Sequence, residues 1–175
     1  DLIYFCSPNN PTGATATKEQ LKRLVDFAKT NGSIIIFDAA YAFYIKNQDL
    51  PKSIYEIDGA REVAIEISSF SKIAGFTGVR LGWSVIPEEL KYEDGGSIKN
   101  DWNRLISTFF NGASNIAVHG GLAALDDQGM QEMTEMIDFY LENAKLIRKT
   151  LNEIGIETYG QDSPYVWAKF PNQNS

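Results

Sequence analysis

The chain has 175 residues, 43% of them hydrophobic and 12% aromatic, an ordinary globular composition with enough material for one domain and a core. Its formal net charge of −7, with no basic stripe, argues against nucleic acid or an anionic membrane surface as a partner. Cys6 is the single cysteine, which excludes an internal disulfide and a cysteine zinc cluster and fits a reducing compartment; no apolar run reaches membrane-spanning length.

The chain opens at Asp1 directly into Leu2-Ile3-Tyr4-Phe5-Cys6 and stops just after another strand-like run, so it reads as a piece excised from a longer chain. The absence of a targeting segment therefore carries no weight. Leu2 to Cys6 is predicted as a buried strand. Ser7-Pro8-Asn9-Asn10-Pro11-Thr12-Gly13 follows, with the residues of a rigid loop at the strand's C-terminal end. In an open α/β sheet, ligands sit at that end, although an ordinary strand-to-helix connection would look the same.

Thr17 to Asn31 has the pattern of a helix. Thr17 and Gln20 form a capping box, Leu21, Leu24, Val25 and Ala28 share a face, and Gly32 is placed to end the helix. Ser33 to Phe37 is a second buried strand, closed by Asp38, an acid that needs a cationic partner or water if it is buried. Tyr41 comes three residues later. Lys46 to Asp58 reads as a polar loop with a short helix, and Val63 to Ser68 as a third strand.

That strand runs into Ser69-Phe70-Ser71-Lys72-Ile73-Ala74-Gly75-Phe76-Thr77-Gly78-Val79-Arg80-Leu81-Gly82. A lysine kept partly desolvated among small and apolar residues can be a neutral amine and attack an aldehyde. The hydroxyls before it and Arg80 after it suit a phosphate dianion. The same residues would also serve as a surface Lys and Arg flanking a glycine turn. A parallel sheet would bring the three strand ends, with Asn10, Asp38 and Lys72, to one rim.

Val79 to Ile86 is predicted as a fourth strand and Pro87 to Asn100 as a surface excursion. Trp102 to Phe110 reads as a helix, and Ile116 to Leu125 as a tightly packed helix with His119, the only histidine, packed or capping. Gln131 to Ile154 is a long amphipathic helix with Met133, Met136, Ile137, Tyr140, Leu141, Ala144, Ile147 and Leu151 as its core stripe, ended by Gly155. Tyr165 to Phe170 is a last strand.

Three motifs together carry a resemblance. Ser69 to Gly82 resembles the pyridoxal-phosphate attachment signature of the aminotransferases, Asn10-Pro11-Thr12-Gly13 resembles their N-P-x-G loop, and Asp38-Ala39-Ala40-Tyr41 resembles their D-x-x-Y, all in the family's order. The resemblance covers essentially the whole chain. It implies an α/β fold, the three-layer α/β/α large domain of fold-type I pyridoxal-phosphate enzymes with a mostly parallel sheet. It further implies residues 1–130 as part of the cofactor-binding domain, 131–155 as an interdomain helix and 156–175 as the start of a small C-terminal domain.

The roles implied are these. Lys72 would hold pyridoxal 5'-phosphate as a Schiff base and then shuttle a proton. Asp38 would pair with the pyridine nitrogen, Asn10 and Tyr41 would bond the ring's phenolic oxygen, and Ser69, Ser71 and Arg80 would hold the phosphate. No metal is implied. Further matches, at Phe110-Asn111-Gly112-Ala113-Ser114-Asn115 and Pro164-Tyr165-Val166-Trp167 with Phe170-Pro171-Asn172-Gln173, resemble the branch of the family that moves an amino group from glutamate to tetrahydrodipicolinate, giving LL-diaminopimelate and 2-oxoglutarate for lysine synthesis. In that branch an asparagine at the place of Asn111 reaches the neighbouring subunit's substrate; otherwise Asn111 is a loop cap before Gly112. Amino-acid and keto-acid substrates, a homodimer, and bacterial cytosol or plastid stroma follow from the resemblance. So does a pocket completed from outside the chain, since the family's carboxylate-binding arginine and substrate-covering segment match nothing here. Another fold-type I chemistry, a lyase or synthase, uses the same cofactor residues, and a non-catalytic cofactor-sensing domain stays open as a third reading.

Overall fold

Apolar runs become three parallel strands in the computed structural model, which describes residues 1–171. They are β1 (Leu2–Cys6), β2 (Ile34–Asp38) and β3 (Ala64–Ser69); β4 (Gly82–Val85) pairs antiparallel with β3, giving the order β1-β2-β3-β4. Residues 172–175, including Asn172 and Gln173 of the last motif, lie outside the described residues.

The strand β2 is covered on both faces, which is why it is apolar without alternation. Ile35, Phe37 and Ala64 pack with Leu21, Val25 and Ala28 of α1 (Lys18–Asn31). On the other face, Ile34 and Ile65 pack against Ile98 and Trp102 of α3 (Ile98–Leu105). The capping box forms as the spacing predicts, Thr17 with Gln20, and Gly32 closes α1 at φ 60°, its N–H bonding the Ala28 carbonyl.

Other elements shift. The fourth strand starts at Gly82 and not at Val79, because the N–H groups of Val79 and Arg80 both bond the Phe76 carbonyl, 3.0 Å each, in a turn. The segment Pro87 to Asn100 is more than a surface excursion: Leu90 and Ile98 are buried with Ile86. The helix α3 begins before Trp102, because Ser97 caps it by accepting the Asn100 N–H, 3.2 Å, and it continues into a π turn over Ile106–Phe110. Next, α4 (Asn115–Ala124) is a helix as predicted but not a tightly packed one. Phe70, Phe76 and Leu81 press on its Gly120 and Gly121, and only Ala117 and Gly121 are buried, while Ile116 is 85% and Leu122 62% exposed. His119 is exposed too, neither packed nor capping.

The last helix, α5 (Asp127–Glu153), starts earlier than Gln131 because the Asp126 carboxylate accepts the Gly129 N–H, 2.8 Å. Met133, Ile137 and Ala144 of its stripe are buried; Tyr140 and Ile147 are exposed. A small hairpin follows, β5 (Glu157–Tyr159) with β6 (Trp167–Lys169). The polar strand β5 has no signature in the sequence, and β6 is shorter than Tyr165 to Phe170. The hairpin is stitched to the Asn10–Gly13 loop, where the backbones of Gly13 and Gly160 nearly touch.

The buried carboxylate of Glu66, on the α1 side of β3, is held by the Ser53 hydroxyl, 2.6 Å, and the Ile54 N–H, 3.0 Å. Glu66→Leu should lower stability by about 2–4 kcal/mol, since it strands both donors. Burial pushes the Glu66 carboxyl above the usual carboxylate range. Its contribution is therefore full below the unfolded value and lost as pH rises through the raised folded value. Glu66→Gln should flatten that part of the stability profile, read by thermal unfolding between about pH 4 and 8; an unchanged slope would refute the assignment.

Candidate active site

Parallel pairing in register aligns Cys6, Asp38 and Ile67, so the C-terminal ends of β1, β2 and β3 share one rim, as the strand ends predict. From β2 the chain passes through Ala39 and Ala40 to Tyr41. From β3 it passes into α2 (Phe70–Ile73), a single turn whose N-cap, Ser69, accepts the Ser71 N–H, 3.0 Å. Phe70 and Ile73 are buried and fix the turn. This leaves Lys72 on the opposite side, toward the rim.

There Lys72 opens on a cavity of about 340 Å3 shared with Ser71, Tyr41, Tyr44, Tyr140 and Tyr165. That size lies at the lower end of ordinary ligand pockets. The Tyr44 hydroxyl donates to the Lys72 carbonyl, 3.0 Å, and holds the backbone under the lysine. Tyr41 is 3% exposed and its ring packs edge-on against Tyr165, centroids 5.1 Å apart, with the two hydroxyls in contact. The expectation of a partly desolvated lysine is corrected: Lys72 is exposed. The buried face of its one-turn helix is taken by Phe70 and Ile73. Among the described residues Lys72 forms no ion pair and no side-chain hydrogen bond.

Asp38 is half-buried, and one carboxylate oxygen accepts the Ala40 N–H, 3.0 Å. No cationic side chain among the described residues pairs with it. Asp38 also acts on Cys6, its partner in register. Burial pushes the Cys6 thiol up, the Asn10 backbone N–H pulls it down, and the Asp38 charge pushes it up again. The thiol donates to the Pro8 carbonyl, 3.3 Å. Asn10 lies at this end of the rim, exposed, and does not line the cavity of Lys72; it is Asn9 that stiffens the loop, accepting the Thr12 hydroxyl at 2.8 Å.

The three residues expected at a phosphate differ in their freedom. Ser71 lines the cavity. The Ser69 hydroxyl is spent on the backbone, accepting from Ser71 and donating to the Leu81 carbonyl, 3.3 Å. Arg80 is exposed, in the left-handed region at φ 67°, and donates to the Thr77 carbonyl, 2.9 Å, while the Thr77 hydroxyl donates to the Ser71 carbonyl, 3.4 Å. A non-glycine residue held at positive φ is costly and clusters at functional sites. The structure thus gathers Lys72, Ser71 and Tyr41 at one cavity, sets Asp38 and Asn10 along the same rim, and ties Arg80 to it through Thr77. Asn111 is elsewhere: exposed at φ 57° it caps the π turn, its N–H bonding the Ile106 carbonyl, 2.8 Å. Tyr44 and Tyr140 are cavity residues outside every motif, and Tyr165 is one that stood in a matching stretch without a site role. Tyr140 carried only a helical-stripe signal that read as core, and Tyr165 read as strand. Among the described residues no group of His, Cys, Asp and Glu is placed to hold a metal, and no helix is long and apolar enough to cross a membrane.

Known proteins resemble this chain along nearly its whole length. The family model "Aminotransferase class I and II" matches residues 1–174. The LL-diaminopimelate aminotransferase of Protochlamydia amoebophila is 58% identical over all of this chain and 43% of that protein. The chloroplastic LL-diaminopimelate aminotransferase of Arabidopsis thaliana is 58% identical over all of this chain and 38% of its own length. A solved LL-diaminopimelate aminotransferase from Chlamydomonas reinhardtii superposes with a TM-score of 0.94 at 60% identity, covering 99% of this chain and 43% of that one. An aromatic aminotransferase from Pyrococcus horikoshii superposes at 0.76 with 29% identity, over 95% of this chain and 42% of that one. The chain spans about two fifths of the length of these relatives. Its fold is that of the fold-type I aminotransferases, and the chain belongs to the class I and II aminotransferases.

Proposed function

We propose that this chain is the cofactor-lysine part of a longer aminotransferase that moves an amino group from glutamate to tetrahydrodipicolinate, giving LL-diaminopimelate and 2-oxoglutarate. The observation that carries the reading is the opening of Lys72, free of any ion pair among the described residues, onto a cavity shared with Tyr41 and Ser71. Identities of 58% over the whole chain to LL-diaminopimelate aminotransferases support the substrate pair. Relatives from a bacterium and from chloroplasts support bacterial cytosol or plastid stroma as the compartment.

The residues fit pyridoxal phosphate as the cofactor. Bound here, it would supply an electron sink for the carbanion at the substrate α-carbon. Asp38, with no cationic partner and one oxygen without a hydrogen bond from the described residues, is suited to hold a protonated ring nitrogen. Tyr41 and Asn10 would donate to the ring's phenolic oxygen. Ser71, with Ser69 and Arg80 once these release their backbone carbonyls, would hold the phosphate dianion. Lys72 would attach the cofactor and, once free, take the proton from the donor's α-carbon. Asn111 would serve the site of a second copy. The direct test is borohydride reduction with pyridoxal phosphate followed by peptide mapping, with the adduct expected on Lys72. Amino donors and keto acceptors assayed in pairs on the complete protein would then fix the substrates. An adduct on any other lysine would overturn the site.

A homodimer is part of the same proposal. Phe109, Ile116 and Leu122 are 81%, 85% and 62% exposed, large apolar side chains that a second copy would cover. Ile116→Glu combined with Leu122→Glu leaves the buried Ala117 and Gly121 in place and is expected to turn the complete protein monomeric in sedimentation. An unchanged mass would remove these side chains from the interface.

A further inference from the structure

We propose that Tyr165 is a positioning residue for the reaction: its hydroxyl donates to the Tyr41 oxygen and so turns the Tyr41 proton into the cavity beside Lys72. The inference rests on the pyridoxal-phosphate reading and deepens it.

A phenol has one proton. When two phenol oxygens are in contact, one donates and the other accepts, and a single proton is left over for a third group. The hydroxyls of Tyr41 and Tyr165 form such a pair, and the ring edge of one packs on the face of the other, 5.1 Å between centroids. Both residues line the cavity of Lys72. Tyr41 is buried, anchored by Ile137 and Tyr44, so it cannot turn away. If Tyr41 spent its proton on Tyr165, it would offer only lone pairs to a phenolic oxygen anion bound beside the lysine. Donation from Tyr165 removes that conflict. It also makes Tyr41 a stronger donor, since hydrogen bonds in a chain polarise one another. Burial raises the Tyr165 phenol above its ordinary range, and nearby Cys6 acts in the same direction, so the proton needed for donation stays in place at working pH. The titratable groups facing the pair are Lys72, Tyr44 and Tyr140 in the cavity and Cys6 with Asp38 behind it.

Tyr165 stands in the stretch between β5 and β6, whereas the other residues assigned to the cofactor stand on the sheet rim and its loops. A hairpin without a catalytic motif would thereby set the proton position at the site.

The test is the pH midpoint of the cofactor's visible absorbance in the complete protein loaded with pyridoxal phosphate. A donor to the phenolic oxygen favours its anion, so loss of that donor makes the oxygen hold a shared proton more tightly and raises the midpoint. Tyr41→Phe should raise it. Tyr165→Phe, which keeps the ring and its packing, should raise it by a smaller amount, about half a pH unit. In a Tyr41→Phe background, Tyr165→Phe should add nothing, the mark of action through Tyr41. Three results would overturn the proposal. They are a midpoint unmoved by Tyr165→Phe, one that falls (Tyr41 then being the donor within the pair), and a shift equally large in both backgrounds. Failure of the underlying reading would look different: the wild-type protein would give no borohydride-stable adduct on Lys72.

Discussion

Replacing Lys72 with alanine is expected to abolish the borohydride-trapped pyridoxal-phosphate adduct and to lower transamination by the complete protein by at least ~10²-fold. The expectation follows from where the side chain stands. Phe70 and Ile73 anchor the one-turn helix in the core, whereas Lys72 is exposed toward the cavity and forms no ion pair among the described residues. Truncating it removes an amine and leaves the packing intact, so the melting temperature of the cofactor-free protein should stay within about 2 °C, in keeping with the small cost of most surface changes. Lys72→Arg should be as inactive as alanine, because a guanidinium keeps its charge in proteins and cannot become a neutral nucleophile. Absorbance, mass of the reduced adduct and turnover would be compared across the three proteins. Turnover within about threefold of wild type in Lys72→Ala would remove the lysine from the chemistry.

Gly13→Ala is expected to destabilise the chain by about 2–4 kcal/mol, from left-handed backbone strain together with overpacking. Gly13 sits at φ +68°, and a β-carbon there would lie 2.5 Å from the Ser163 hydroxyl oxygen and 2.7 Å from the Gly160 α-carbon. Ser163 is fully buried and Gly160 is itself at φ +84° with its own β-carbon position 2.7 Å from the Thr12 carbonyl oxygen, so neither side can give way. A domain of this size should lose roughly 5–15 °C in melting temperature. Gly32→Ala is the control. It has a similar φ, +60°, with nothing within 4 Å of the added carbon, so only the backbone strain of about 1 kcal/mol should register. Equal losses in the two variants would mean that the hairpin does not press on the loop as described. Because Asn10 and Gly13 share that loop, Gly13→Ala should also weaken pyridoxal-phosphate binding, and Gly32→Ala should not.

The contrast between these glycines shows how far sequence reading reaches. Gly32 is legible because it follows a helical pattern with a capping box at its other end, and both signals are local. Gly13 is legible only as a member of a motif. Its physical reason is a backbone almost 150 residues away, at Gly160. The candidate site divides in the same way. Lys72, Asp38 and Tyr41 are legible because each sits in a motif that resembles the family's, just after a predicted strand. The role of Tyr165 is not, because nothing in a short aromatic strand says that its hydroxyl meets another tyrosine.

By itself the sequence determined the main strands and helices from β1 to α5 apart from the single turn α2, the polar or basic residues at three strand ends, and the motifs of the aminotransferase family. Each of these rests on residue type and on periods within one element. The tertiary structure alone decided that Lys72 is exposed, that Ser69 spends its hydroxyl on capping and on Leu81, that α4 carries exposed apolar side chains, and that the β5–β6 hairpin closes on the rim. Such features depend on which groups meet across long sequence separations. A side chain's burial and the direction of its proton are properties of its neighbours, and those are chosen only when the chain folds.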